Sequence, residues 1–73
     1  MTPEELKKLE KTVKKNKRLA GEKAMELHDL VEDKLPAGYT DLMAVAEETF
    51  EACKAWDEAN KALLAAQAEI ETA

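Results

Sequence analysis

Helix breakers and chemically versatile side chains are scarce in this chain, and each scarcity excludes something. A single cysteine, Cys53, rules out a disulfide or a cysteine metal cluster within one chain and fits a reducing compartment. The glycines, Gly21 and Gly38, form no glycine-rich phosphate loop. No apolar run approaches the roughly 20 residues needed to cross a bilayer. The start, Met1-Thr2-Pro3-Glu4, reads as no signal peptide, so a cytoplasmic location is expected. Among possible nucleophiles, Thr12, Thr40, Thr49 and Cys53 have no histidine placed by a recognisable motif, and no catalytic residues are assigned. The chain is expected not to be an enzyme.

Proline is equally sparse, and its placement is the main architectural signal. Pro3 lies at the start, and Pro36 shares the segment Lys34-Leu35-Pro36-Ala37-Gly38-Tyr39-Thr40 with Gly38. Both breaker types meet only there, so the chain should turn once. The expected fold is all-α, an antiparallel two-helix hairpin forming a single domain over residues 1–73. Helix 1 is expected over about 3–33, the turn over about 34–40 and helix 2 over about 41–71. At 73 residues, two helices side by side bury one stripe each, a small core for independent stability. Dimerisation into a four-helix assembly, or docking on a larger partner, should complete it.

What the chain has in quantity is helical periodicity. Thr2, Pro3 and Glu5 make a capping-box start. Leu6, Leu9, Val13, Asn16, Ala20, Lys23, Leu27 and Leu30 then recur at alternating three- and four-residue steps, a heptad seam with two polar members. Asn16 suits either a register-fixing seam residue or an exposed site. A second stripe, Gly21, Ala24, His28, Val31 and Leu35, follows beside it. Thr40 should cap helix 2, with Asp41 favourable near its N-terminus. The second seam is Leu42, Val45, Thr49, Ala52, Trp56, Ala59, Leu63, Ala66 and Ile70, flanked by Met43, Ala46, Phe50, Cys53, Asn60, Leu64 and Gln67. Both helices are apolar over a wider arc than one sister helix covers. The free protein is therefore expected to be a homodimer, with Gly21 and Ala24 allowing close approach of helix 1 to its mate.

The net charge of −5 is segregated. Lys7 to Lys23 holds eight basic residues against Glu10 and Glu22, whereas Glu26 to Glu58 holds ten acidic residues against Lys34 and Lys54. The lysines ring their helix with no interleaved aromatic, which reads as a solvated face; nucleic-acid binding ranks third among the functions considered. The densest polar cluster is His28, Asp29, Glu32 and Asp33. His28 and Glu32 stand one helical turn apart and could begin a divalent transition-metal site that a symmetry mate completes. Alternatively, the cluster is an acidic rim for docking on a basic surface. Three carboxylates near a helix C-terminus oppose the macrodipole by about 0.3–1 kcal/mol each, and such broken local rules are candidates for function.

The stretch from Lys23 to Pro36, with Leu27-His28-Asp29-Leu30, the pair Glu32-Asp33 and then Leu35-Pro36, resembles the signature of a small Rop-like helical-hairpin family encoded among nitrogen-fixation genes. Ala46, Thr49-Phe50 and Ala52 echo its alanine-rich second helix. Lys34 departs from the pattern by lengthening the spacing between the acidic pair and Leu35-Pro36. The resemblance implies a non-catalytic accessory role around nitrogenase: binding a nitrogenase component or a cofactor-assembly protein. It carries over His28, Asp29, Glu32 and Asp33 as working residues, and leaves open whether they hold a metal or a protein. Met25, Val31, Leu35 and Tyr39 are the apolar neighbours expected to supply buried area in a partner complex. The alternative is a metal-binding or metal-delivery protein using His28 and Glu32.

Overall fold

The computed structural model describes residues 2–72, with side chains described for residues 2–69. It is a helical hairpin: α1 spans Pro3–Asp29, a π-helical turn continues it over Leu30–Lys34, and α2 spans Tyr39–Thr72. The rod measures 56 × 14 × 14 Å.

The N-terminus of α1 forms as its residues dictate. Glu5 N–H donates to Thr2 Oγ1 at 3.2 Å, and Thr2 N–H donates to Glu5 Oε2 at 3.3 Å, with Pro3 in the first turn. Two otherwise orphaned donors are thereby satisfied.

Both heptad seams face each other. Every seam residue of α1 is at least partly buried, and Leu30 is only 3 % exposed. The same holds along α2 from Leu42 to Ala66, the latter also 3 % exposed. The side chain of Ile70, the last expected seam residue, lies outside those described. The polar seam members are tied across the interface. Asn16 Nδ2 reaches the Ala55 carbonyl at 3.5 Å, and Thr49 Oγ1 lies 3.1 Å from the Lys23 carbonyl and 2.9 Å from that of Val45. Lys23 Nζ meets Glu48 at 3.2 Å and Glu26 at 3.5 Å. The hydrogen bond to Glu48 and then the charges of Glu26 and Glu48 hold this ammonium above the usual lysine range. These contacts pin one register between helices whose alanine-rich seam would otherwise slide easily.

The bend differs from the sequence expectation in two ways. First, α1 does not run as α-helix to residue 33. Leu35 N–H donates to Leu30 C=O at 3.1 Å, five residues back, which closes a wider turn. A regular helix would place Lys34 next on the seam after Leu27 and Leu30. The extra residue of the π turn passes that place to Leu35, which is half-buried while Lys34 is exposed. Leu35 therefore belongs to the seam and not to the second stripe, and the residue that lengthens the acidic-to-proline spacing is absorbed without disturbing the core. Second, α2 begins at Tyr39, so Thr40 lies inside its first turn and is not the cap. The turn is already helical in its hydrogen bonding: Tyr39 N–H reaches Pro36 C=O at 3.2 Å, and Asp41 N–H reaches Gly38 C=O at 3.0 Å. Gly38, as expected, lies within the turn and packs closely: a Cβ there would lie 3.0 Å from the Lys34 carbonyl oxygen and 3.2 Å from Leu30 Cδ1.

Deleting Lys34 is expected to restore a regular α turn with Leu35 still on the seam. Urea unfolding should then give a stability within about 0.5 kcal/mol of the parent. A loss above about 2 kcal/mol would show that the wide turn itself holds the bend together.

Candidate functional site

Because the helices are antiparallel, residues one position after a seam residue fall on one side of the hairpin, and residues one position before fall on the other. The two sides differ in chemistry. The side after the seam carries Gly21, Ala24, His28 and Val31 from α1 and its continuation, and Met43, Phe50 and Leu64 from α2. Its half nearer the bend is apolar and open, with Met43 78 %, Phe50 64 % and Val31 54 % exposed, whereas Lys7, Glu10, Lys14, Lys17 and Asp57 join exposed Leu64 towards the open end. The side before the seam carries Glu22, Glu26 and Asp29, with Asp41, Glu48 and Glu51 opposite. An open cleft near the bend has Glu26, Asp29 and Asp41 as walls, Leu30 and Val45 as floor and Lys34 at its edge. It adjoins a second shallow groove bordered by Lys23, Ala44, Glu47, Glu48 and Glu51.

The residues expected to form one partner surface are divided between these sides. Asp29 and Val31 are two residues apart, close to opposite directions on a helix. Asp29 lines the acidic cleft, and Val31 stands on the apolar side. His28 and Glu32 do meet, with Nε2 3.2 Å from Oε2, and His28 Nδ1 lies 3.8 Å from Asp29 Oδ1. All of these side chains are more than half exposed, which leaves the pair screened by solvent. Met25, Asp33 and Tyr39 are exposed around the same end, whereas Leu35 is half-buried within the hairpin. Among the described residues, no group of three or more His, Cys, Asp or Glu is placed to hold a metal ion. His28 and Glu32 thus offer two donors from one chain, short of the four that a closed structural zinc site uses.

Asp41 and Glu26 enter the site unforeseen. The sequence pattern gives Asp41 only a favourable place near the α2 N-terminus, yet the hairpin register sets it across from Asp29. Pairing the two seams outward from the bend would have placed it there.

The sequence model of the Rop-like family matches residues 4–68. The chain belongs to the Rop-like family. No curated protein and no solved structure matches it. The match covers the first seam, the second as far as Ala66, and the whole bend, including the π turn. A Rop-like hairpin is a non-enzymatic architecture. Among the described residues no helix is long and apolar enough to cross a membrane.

Proposed function

We propose that this Rop-like hairpin is a non-catalytic accessory protein of nitrogen fixation, cytoplasmic, that binds a nitrogenase component or a cofactor-assembly protein through its bend. Two observations support the reading: the Leu27-to-Pro36 signature, and the bend itself. Exposed carboxylates at Asp29, Glu32, Asp33 and Asp41 and exposed Val31, Tyr39 and Met43 share this end of the rod, with Asp29 and Asp41 on one side and Val31 and Met43 on the other, so a partner would have to wrap the bend. An apolar centre with a charged rim is the composition a specific interface needs, with the rim steering encounter and fixing orientation. The fitting partner surface is basic at its edge and apolar at its middle. Free of that partner, the hairpin pairs with a second copy, because Leu30 and Ala66 are its only buried hydrophobic residues among those described.

The test is binding to purified nitrogenase components, with and without chelator. Replacing Asp29 and Asp33 together by Asn should slow association about tenfold at low salt and flatten its salt dependence. Replacing Lys8, Lys11 and Lys15 by Gln should leave binding within about twofold, since rim charges remote from a contact contribute little. Loss of binding in the lysine variant with retention in the aspartate variant would overturn the assignment of the bend. Binding that chelator abolishes, together with stoichiometric metal on the isolated protein, would favour metal delivery through His28 and Glu32.

A further inference from the structure

We infer that the back of α1, in its open half, is an electrostatic docking face for an anionic phospholipid surface, with the acidic bend turned away from that surface. The inference goes beyond the partner reading above and does not depend on it. It starts from where the basic residues fall. At about 100° per residue, Lys11 and Arg18 point directly away from the seam. Lys7 and Lys14 lie on one flank of them, and Lys8 and Lys15 on the other. All six are exposed. They occupy about a third of the helix circumference over about 17 Å of its length. Glu4 and Glu22 bracket this arc, and Glu10 falls outside it. The ring of lysines expected from the sequence is, in the folded hairpin, mostly one basic stripe.

The fold does not use these charges. Among the described residues none of the five lysines forms an ion pair, and Arg18 pairs only with Glu22, at 3.3 Å. The lysines that the hairpin does pair lie elsewhere: Lys23 with Glu26 and Glu48, and Lys61 with Asp57. The register that sets Asn16 beside Ala55 brings Lys54, Asp57, Glu58 and Lys61 level with the stripe. Two cations there offset two carboxylates, so α2 neutralises none of it. Unpaired cations in a row are complementary to an anionic surface, and the make-up of the stripe selects which kind. Five of the six are lysines, point charges on flexible stems without the planar fork that suits fixed phosphates. No Asn, Gln or aromatic side chain stands among them to read or stack a base. No apolar side chain stands there to enter a bilayer, so contact is with headgroups alone. Mobile headgroups can gather beneath a straight, convex helix, whereas duplex phosphates are fixed in spacing. At the other end of the rod Asp29, Glu32, Asp33 and Asp41 are repelled by the same surface, which leaves the bend open to a partner.

Vesicle flotation of the full chain tests this, with mixed phosphatidylglycerol and phosphatidylcholine vesicles against phosphatidylcholine alone. At low salt the parent should float with the anionic vesicles and stay behind with the neutral ones. Salt at about 0.5 M should release it. A lysine near an anionic surface contributes about fivefold to partitioning, so replacing Lys8, Lys11 and Lys15 together by Gln should weaken flotation about tenfold or more. Replacing the same three by Arg keeps the charge and should leave partitioning within about twofold. Circular dichroism should show unchanged helicity in both variants, since these side chains are exposed. The Gln variant is also expected to keep its binding to nitrogenase components, so failure of this inference and failure of the bend assignment are read separately. Parent and Gln variant floating equally would overturn the stripe. A parent that does not float at low salt, or that binds an RNA duplex more tightly than the anionic vesicles at equal salt, would overturn the lipid surface as its occupant.

Discussion

Leu30→Ala is expected to remove most of the stability of the hairpin. Leu30 is the buried residue of the bend, at 3 % exposure. It is where the π turn starts, and its Cδ1 packs close to Gly38. Truncating a buried leucine to alanine costs about 2–5 kcal/mol, more where the cavity cannot collapse. Collapse is restricted here, because the Leu35 N–H to Leu30 C=O bond and the Gly38 N–H to Lys34 C=O bond of 2.7 Å fix the backbone on both sides. A single core of this size rarely supplies more than about 3–5 kcal/mol. Urea unfolding followed by far-ultraviolet circular dichroism, at matched protein concentration, should show a variant barely folded at 25 °C. A loss under 1 kcal/mol would mean that the bend is held by its turn hydrogen bonds and not by Leu30, against the usual cost of such truncations.

Trp56 should give the second large effect, with an informative contrast between two substitutions. It sits in the α2 seam, half-buried, and its Nε1 is buried without a hydrogen-bond partner. Removing the ring costs about 3–5 kcal/mol when a tryptophan is well buried; for this half-buried one, about 3 kcal/mol is expected from Trp56→Ala. Trp56→Phe loses some area but also removes an unpaired donor whose burial costs about 1–3 kcal/mol. The two terms oppose each other, so Phe should lie within about 1 kcal/mol of the parent. Equal losses for Ala and Phe would show that the indole nitrogen contributes to the fold.

Much of the hairpin could be read from the sequence because its signal is periodic. The seam from Leu6 to Leu30 and its counterpart from Leu42 follow a three-four step that only one helical face satisfies. Proline and glycine coincide once, which locates the turn. The bend itself was less legible. A π turn differs from an α turn by a single residue, and nothing in the composition of Leu30–Lys34 distinguishes them. What betrays it is the phase of Leu35 relative to Leu27 and Leu30, visible only if the bend is required to end with an apolar residue on the seam. Thr40 misled as a cap because the Pro36–Gly38 segment already supplies helical hydrogen bonds ahead of it. The candidate site was legible in its residues but not in its division. His28, Asp29 and Val31 are neighbours in sequence, and neighbours on a helix point apart. Near the bend, that separation puts carboxylates on one side of the rod and apolar surface on the other.

The wide turn at Leu30–Lys34 also bears on how such a hairpin tolerates changes in length. A residue gained or lost within a regular helix rotates everything beyond it by about 100° and destroys the seam. Here the extra residue is taken up within five positions, and Leu27, Leu30 and Leu35 keep step. Length changes at the bend are insulated from the rest of the rod. One residue of the outward-facing segment from Val31 to Lys34 can therefore be present or absent without redesign of either helix. The surface that the bend presents is thus uncoupled from the packing of the rod.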